Sequence, residues 1–295
     1  MLRKDRLKVM ILGGDGMLGH AFLEGLRDQH EVIATVRRPQ AADVKPPGSE
    51  NTADYKYDVD ATYYISVGKS IQSFSPDFVI NCIGLTKSLC DTKDASKAIY
   101  LNALFPHMLL KTCQEHGAKL IQFSSDCVFS GDDGGYEEAS IPDARDLYGL
   151  SKTLGEINSP QCLTIRKSTI GLERSTSHGL IEWFLNTAGN IKGYSNALYS
   201  GLTTIELVRV VNFIISRNKF MSGIIHISSE PISKFSLLSK LSYMLERDDL
   251  TIEEDSSFIC DRSLNGDHFV AITGYSIPSW DNMLQELSEE IKRRQ

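Results

Sequence analysis

The 295-residue sequence has few cysteines and no long apolar run. Its six cysteines (Cys82, Cys90, Cys113, Cys127, Cys162 and Cys260) form no Cys-x-x-Cys pair and show no metal-ligand spacing. A disulfide framework and a zinc module are therefore excluded as organising principles, and scattered thiols suit a reducing cytoplasm, the expected location. No apolar stretch approaches the roughly 18 residues that span a bilayer. The run Val9-Met-Ile-Leu12 after the basic N-terminus is too short for a signal peptide's apolar region and has no small-residue cleavage site after it. The seven histidines, among them His107, His116 and His226, form no metal-like cluster, so no metal is expected. With 31 Lys and Arg against 38 Asp and Glu, the net charge of −7 gives no field that would attract nucleic acid or an anionic membrane. A local basic pocket for phosphate is still allowed. There is no internal repeat and no low-complexity tract.

What is present alternates. Apolar runs at residues 8–12, 32–36, 78–82, 120–123 and 163–165 are separated by helical patterns such as 18–29 and 99–116. Short strands apolar on both faces, with helices between them, predict an α/β fold with a doubly wound parallel sheet of the Rossmann type. The polar stretch 39–55, with Pro46-Pro47-Gly48, reads as an exposed loop. Beyond residue 170 the pattern loosens: 171–200 is irregular, while a helix at 204–217 and a strand at 223–228 read as a return to the first unit. An amphipathic helix is predicted near 235–247, and 289–295 reads as a solvated helix end. The expected organisation is a dinucleotide-binding domain over 1–170, with return elements near 204–228, and a smaller C-terminal substrate-binding lobe over 171–295. The chain crosses between the two.

The segment Lys8-Val-Met-Ile-Leu-Gly-Gly-Asp-Gly-Met-Leu-Gly19 sets a strand directly before a glycine turn and a helix. Both Gly14-x-Gly16-x-x-Gly19 and Gly13-x-x-Gly16-x-x-Gly19 can be read in it. Glycines let backbone approach a pyrophosphate, and free N–H groups at a helix start attract its charge. A lone glycine triplet also suits any tight turn, but the strand before and the helix after favour a dinucleotide. The second strand ends Ala34-Thr-Val-Arg-Arg38, with no acid to hold a ribose 2′-hydroxyl. Two arginines there suit a 2′-phosphate, so NADP(H) is preferred, with NADH left open; solvated surface arginines are the plainer reading.

Asp146-Leu-Tyr148-Gly-Leu-Ser-Lys152 contains Tyr-x-x-x-Lys. Residues four apart share a helix face, so the Lys152 ammonium is expected near the Tyr148 phenol, lowering its pKa towards working pH. Alone the pattern says little. Upstream, Ser124-Ser-Asp-Cys-Val-Phe follows a strand, where Ser125 would hydrogen-bond a substrate carbonyl and the alkoxide formed from it.

Together these residues resemble the extended short-chain dehydrogenase/reductase family. The likeness is carried by the glycine turn, Asn81-Cys-Ile-Gly84, Asn102 before Pro106, Ser-Ser-Asp-Cys-Val-Phe and Tyr-Gly-Leu-Ser-Lys-Thr-Leu-Gly-Glu. Within the family the chain is most similar to the dTDP-4-dehydrorhamnose reductase branch, in register over residues 8–170. The likeness is looser through Gly201-Leu-Thr-Thr204, Gly223-Ile-Ile-His226 and Asp261-Arg-Ser-Leu264.

The resemblance implies that Gly13, Gly16 and Gly19, with Met17 and Leu18 between them, hold the pyrophosphate. It sets Arg37 and Arg38 at the adenosine ribose, and Asp58 and Val59 beside the adenine. Asn81, Cys82, Ile83, Gly84, Asn102 and Ser124 would line the cofactor, with Tyr148 and Lys152 at the nicotinamide end. Ser125, Tyr148 and Lys152 would be catalytic, Tyr148 giving the proton as hydride reaches the ketone. On the substrate side stand Thr86, Asp126, Thr169 and Arg262, and in the second lobe Trp183, Lys192, Tyr194 and Asn196.

Two departures qualify the likeness. Related sugar-nucleotide dehydratases follow the hydroxyl residue with Asp-Glu, whereas Asp126 is followed here by Cys127, which favours ketone reduction over elimination. The rhamnose branch reads Arg-Thr-Ser-Trp-Val-Tyr after the sixth strand. This chain reads Arg166-Lys-Ser-Thr-Ile-Gly171, with Thr169 in the tryptophan's place. The implied activity is NADP(H)-dependent reduction of a 4-keto-6-deoxy sugar linked to dTDP, UDP or GDP, in polysaccharide or deoxysugar biosynthesis. A nucleotide-sugar epimerase that retains NADP and a non-catalytic NADP-binding subunit remain as alternatives. The expected partners are a nucleotide sugar and, left open, a second copy of the chain as a homodimer, with no nucleic acid and no membrane.

Overall fold

The computed structural model describes residues 6–37, 54–90, 94–174 and 179–294. Arg38 and most of the loop expected at 39–55 lie outside the described residues, as does Gln295. Seven strands form one fully parallel sheet: β1 (Lys8–Leu12), β2 (Glu31–Thr35), β3 (Tyr55–Lys56), β4 (Phe78–Asn81), β5 (Lys119–Phe123), β6 (Cys162–Arg166) and β7 (Gly223–His226). Their spatial order is β7-β6-β5-β4-β1-β2-β3.

The apolar runs are continuous because each strand buries both faces. Val9 and Ile11 of β1, Phe78 and Ile80 of β4, and Ile121 and Phe123 of β5 point into one cluster. Met10, Leu12, Val79 and Leu120 alternate with them into the other, as the two-residue period requires. The first cluster also takes in residues of α1 (Met17–Leu26), α5 (Thr204–Ser216), α6 (Lys234–Met244) and α7 (Trp280–Arg294), and the second those of α2 (Tyr64–Phe74) and α3 (Phe105–Glu115). Between α3 and α6 in the chain lies α4 (Leu147–Leu154).

Ahead of α3 the chain makes a π-helical turn, Ile99–Leu104. Pro106 accounts for it: proline has no N–H for the Asn102 carbonyl four residues back, and its ring crowds that oxygen. The wider turn relieves the clash and sets Asn102, fully buried, against the neighbouring loop and α4.

The second half is more ordered than its composition suggests. Within 171–200 lie a short helix (Leu180–Leu185) and two strands, of which Gly189–Tyr194 pairs in parallel with Leu250–Asp255 along all six residues. Glu289, Lys292, Arg293 and Arg294 are exposed, as a solvated helix end requires, but the helix as a whole is amphipathic: α7 buries Met283, Leu284, Leu287 and Ile291, and Arg294 pairs with buried Glu182. A charged stripe on a helix read without its partner surface hides the apolar stripe behind it. The first cluster runs unbroken from Val9 to Ile291, so the C-terminal elements share the core of the main sheet. Among the described residues no helix is long and apolar enough to cross a membrane.

Leu284→Ala should lower stability by about 2–5 kcal/mol, the usual cost of a fully buried leucine. Urea unfolding monitored by circular dichroism would measure it, and a loss below about 1 kcal/mol would refute the docking of α7 as part of the core.

Candidate active site

β1 and β4 lie side by side, yet the chain leaves the sheet in opposite directions around them, and their C-terminal ends open a crevice there. The glycine turn follows β1. Gly13 has φ +83°, and a Cβ on Gly19 would stand 2.0 Å from the Gly13 carbonyl oxygen, so the first turn of α1 can lie this close only without side chains. At Gly16, the N-cap of α1, a Cβ would meet only the Gly13 oxygen, at an ordinary 3.5 Å. Packing does not demand that glycine. Gly16 supplies no side-chain cap, so its missing Cβ and the N–H groups of the first turn of α1 are free to meet a phosphate.

Opposite the turn, Asn81 donates to Gln122 Oε1 (2.7 Å) and accepts from the Ile83 N–H (3.1 Å), fixing the backbone past β4. Asn102 clamps the next stretch: its Oδ1 accepts from the Leu85 N–H (2.8 Å), and its Nδ2 donates to the Leu85 carbonyl and the Ser151 hydroxyl (both 3.1 Å). Two adjoining cavities share Gly16 and residues 82–85. One continues to Thr35, Arg37, Val59, Asp60 and Lys97. The other, about 390 Å³, continues to Ser125, Asp126, Tyr148, Lys152 and Lys167. A single groove thus joins Arg37 to the Ser125–Tyr148–Lys152 cluster.

The cluster is assembled by α4. Asp146 caps it by accepting from the Gly149 N–H (2.9 Å) and pairs with Lys87 (3.0 Å). A Cβ on Gly149 would lie 2.5 Å from the Cys127 carbonyl oxygen, so a glycine here lets α4 press against the turn after Ser125. Tyr148 is thereby hydrogen-bonded with Ser125. Ser125 also donates to Asp126 (3.0 Å) and accepts from the Cys127 N–H (3.1 Å). Lys152 is buried, and its ammonium donates to the Phe123 carbonyl (2.7 Å), with the Gly84 backbone alongside.

Beneath the cluster lies a buried ion pair. Glu156, just past α4, holds Arg166 of β6 through two 2.7 Å hydrogen bonds and accepts from Ser124 Oγ (2.7 Å). Arg166 stacks over Phe129 and donates to His226 Nε2 (3.3 Å). His226 carries its proton on Nδ1, because the partner there, the Tyr136 carbonyl (3.0 Å), can only accept.

These surroundings set the protonation states. Burial lowers the Lys152 ammonium to about 8, against the pull of the Glu156 carboxylate. Burial and the nearby Cys127 and Asp126 raise the Tyr148 phenol above its ordinary value, while the Ser125 hydrogen bond works the other way. The expectation that Lys152 lowers the phenol's pKa is therefore corrected: the ammonium is spent on the Phe123 carbonyl, and burial dominates at the phenol. A phenol held protonated is a proton donor. Cys127 is pushed up to about 12 by burial and Cys82 is raised likewise, so neither thiol is ionised near neutral pH.

The family model described as the RmlD substrate binding domain matches residues 7–186. The chain belongs to that family. Among curated proteins it is 30% identical over 188 residues to the probable low-salt glycan biosynthesis reductase Agl14 of Haloferax volcanii, covering 60% of this chain and 59% of that protein. It is 28% identical over 152 residues to a dTDP-4-dehydrorhamnose reductase of Streptomyces griseus (51% and 44%), and 29% identical over 149 residues to methionine adenosyltransferase 2 subunit beta of Xenopus tropicalis (50% and 41%). The chain thus spans about half the length of the curated relatives it matches. Its fold matches that of the dTDP-4-dehydrorhamnose reductase of Bacillus anthracis solved with NADP, with a TM-score of 0.75 at 21% identity over 97% of this chain and 99% of that one.

The RmlD-family chain does not bring every residue singled out from sequence to the groove. Met17, Leu18, Asn81, Cys82, Ile83, Gly84, Thr86, Ser124, Asp126 and Thr169 line it. Val59 lines its far end, whereas Asp58 is exposed at φ +63° and is not part of the lining, a place taken by Asp60. Arg262 donates to the Phe129 and Ser130 carbonyls (both 2.9 Å), close enough to Asp126 for the two charges to interact. The second-lobe candidates do not line the groove. Trp183 is 42% exposed and outside the groove lining, Lys192 is paired with Asp255 (2.9 Å), Tyr194 packs on Phe258, and Asn196 donates to the Ser256 carbonyl (2.9 Å). The pairing of 189–194 with 250–255 decides this, and no local pattern announces it. Sequence reasoning passed over Thr35, Asp60, Lys97 and Lys167, all of which line the groove. Lys167 had a signal, since it stands where the related pattern has threonine.

Glu156→Ala leaves Arg166 buried without its carboxylate and should lower stability by about 3–5 kcal/mol in denaturant titrations. A change near zero would mean that the pair does not brace the sheet beneath the cluster.

Proposed function

We propose that this RmlD-family protein reduces the keto group of a nucleotide-linked sugar, with NADPH as the hydride source. The observation that carries the reading is the continuous groove from the glycine turn and Arg37 to Ser125, Tyr148 and Lys152. Its residues fit a dinucleotide. The first turn of α1 meets the pyrophosphate, and Arg37, with no acid at the end of β2, suits a 2′-phosphate better than a bare hydroxyl. NADPH, when bound, supplies the hydride. Ser125 and Tyr148 hold the ketone oxygen, and Tyr148 gives it the proton. The Lys152 ammonium orients the ribose and lends positive charge as the alkoxide forms. The Agl14, SpsK and dTDP-4-keto-6-deoxy-D-glucose reductase relatives support a nucleotide-sugar substrate used in glycan or deoxysugar biosynthesis.

Thr169 speaks for a sugar other than that of the rhamnose pattern. Its hydroxyl and that of Tyr199 are buried without hydrogen-bond partners among the described residues, and Thr169 lines the cleft. An aromatic platform is thus replaced by the Thr169 hydroxyl, which can meet a polar sugar substituent. A second reading, a non-catalytic NADP-binding subunit, is favoured by the methionine adenosyltransferase subunit beta relatives.

The deciding experiment titrates the protein with NADPH and NADH, then follows reduced-nicotinamide absorbance with dTDP-, UDP- and GDP-linked 4-keto sugars. Oxidation of NADPH with one of them is expected; tight binding without oxidation across the panel would favour the subunit. Tyr148→Phe should abolish nearly all turnover while NADPH binding persists, and unchanged turnover would reject Tyr148 as the donor. Because Lys152 is charged only below about 8, turnover should fall as pH rises through that value; a rate flat from pH 7 to about 9 would reject the ammonium's role.

A further inference from the structure

One cation in the cleft has no part in the reading above. Lys167 directly follows Arg166, the last residue of β6, and lines the same cleft as Cys82, Phe123, Ser125 and Lys152. Its ammonium stands over the Phe123 ring, 5.6 Å from the centroid, while the Lys152 ammonium takes the Phe123 carbonyl. Two ammonium groups thus flank one residue at the end of β5. Among the described residues the Lys167 ammonium makes no hydrogen bond and no ion pair. Of the buried carboxylates nearby, Glu156 is committed to Arg166 and Ser124, and Asp126, which accepts from Ser125, reaches Lys167 only through its charge. Burial, and then the charge of Lys152, lower the Lys167 ammonium to about 8, which leaves it mostly charged at neutral pH. The protein thus carries into its cleft a cation with no hydrogen-bond or ion-pair partner among the described residues, at a position where the related pattern has a threonine.

What lies beside it follows from the groove. A dinucleotide with its pyrophosphate at the glycine turn must bring its hydride-carrying ring within reach of a ketone held by Ser125 and Tyr148. Cys82 and Phe123 lie along that path, and both stand close to Lys167, Cys82 near enough for its thiol and the ammonium to influence each other's ionisation. The nicotinamide ring is the one part of the cofactor whose charge changes in the reaction, neutral when reduced and a pyridinium when oxidised. A fixed cation beside it repels only the oxidised form.

We propose that Lys167 sets the redox preference of the nicotinamide bed, weakening NADP+ relative to NADPH so that the reduced cofactor is favoured and the oxidised product is released. This rests on the dinucleotide reading. At an effective dielectric near 20, one unit charge several ångströms from another corresponds to roughly a tenfold or larger change in the affinity ratio.

The test measures dissociation constants for NADPH and NADP+ separately, by calorimetry at pH 7, in the unmodified protein and in Lys167→Gln, Lys167→Thr and Lys167→Arg. The two neutral variants serve as alternates, so that either one that folds decides. In them NADP+ should tighten about tenfold relative to NADPH, while Lys167→Arg keeps the original ratio. A ratio in the neutral variants within about twofold of the original would overturn the proposal, because a merely structural lysine would weaken both nucleotides together. It would equally be overturned if Lys167→Arg shifted the ratio as far as Lys167→Gln. Failure of the unmodified protein to bind either nucleotide would instead remove the dinucleotide reading, and this proposal with it.

Discussion

The buried pair between Glu156 and Arg166 ties together the parts from which the site is made. Glu156 ends the segment that begins with α4, so it belongs to the same stretch as Tyr148 and Lys152. Arg166 ends β6, one residue before Lys167. Through Ser124 the pair reaches the end of β5, and through His226 it reaches β7. Four chain segments distant in sequence are thus pinned at one level of the sheet. Two charges this deep are costly to desolvate, and the cost is offset because every strong donor in the cluster has an acceptor. Geometry, more than stability, is what such an arrangement supplies.

The pair also shapes the electrostatics above it. Burial alone drives a lysine towards neutrality, and the Glu156 carboxylate is the chief influence holding the Lys152 ammonium in its charged form. Tyr148 lies in the same setting with the opposite consequence, because burial keeps an acid protonated. One low-dielectric cleft therefore yields a phenol that retains its proton and ammonium groups close to their titration point. That pairing suits delivering a proton to an oxygen that is gaining charge.

The parallel sheet supplies the other half of the design. Adjacency of β1 and β4 opens a crevice at their C-terminal ends, and the glycine turn and Asn81 face each other across it. The π-helical turn forced by Pro106 carries Asn102 to the loop beyond, where it ties Leu85 to Ser151 of α4. The π-helical turn and α4 are thereby joined by a single amide side chain.

The strands, the glycine turn and the Tyr148–Lys152 spacing were legible in the sequence because each is local: alternating burial has a period of two, a helix face repeats every three to four residues, and a tight turn needs glycine where it occurs. The buried stripe of α7 was not, because Leu284 and Ile291 acquire meaning only against the core they meet. The surroundings of Lys192 and Tyr194 were hidden for a similar reason: their strand is paired with one some sixty residues away. Local periodicity thus determined, from the sequence alone, that this chain forms a doubly wound sheet with a glycine turn after its first strand and a helix that sets Tyr148 and Lys152 on one face. The tertiary structure alone decided which charges share the cleft. Glu156 withdrawn to Arg166 and Lys167 left beside Phe123 depend on distances between segments that no local pattern encodes.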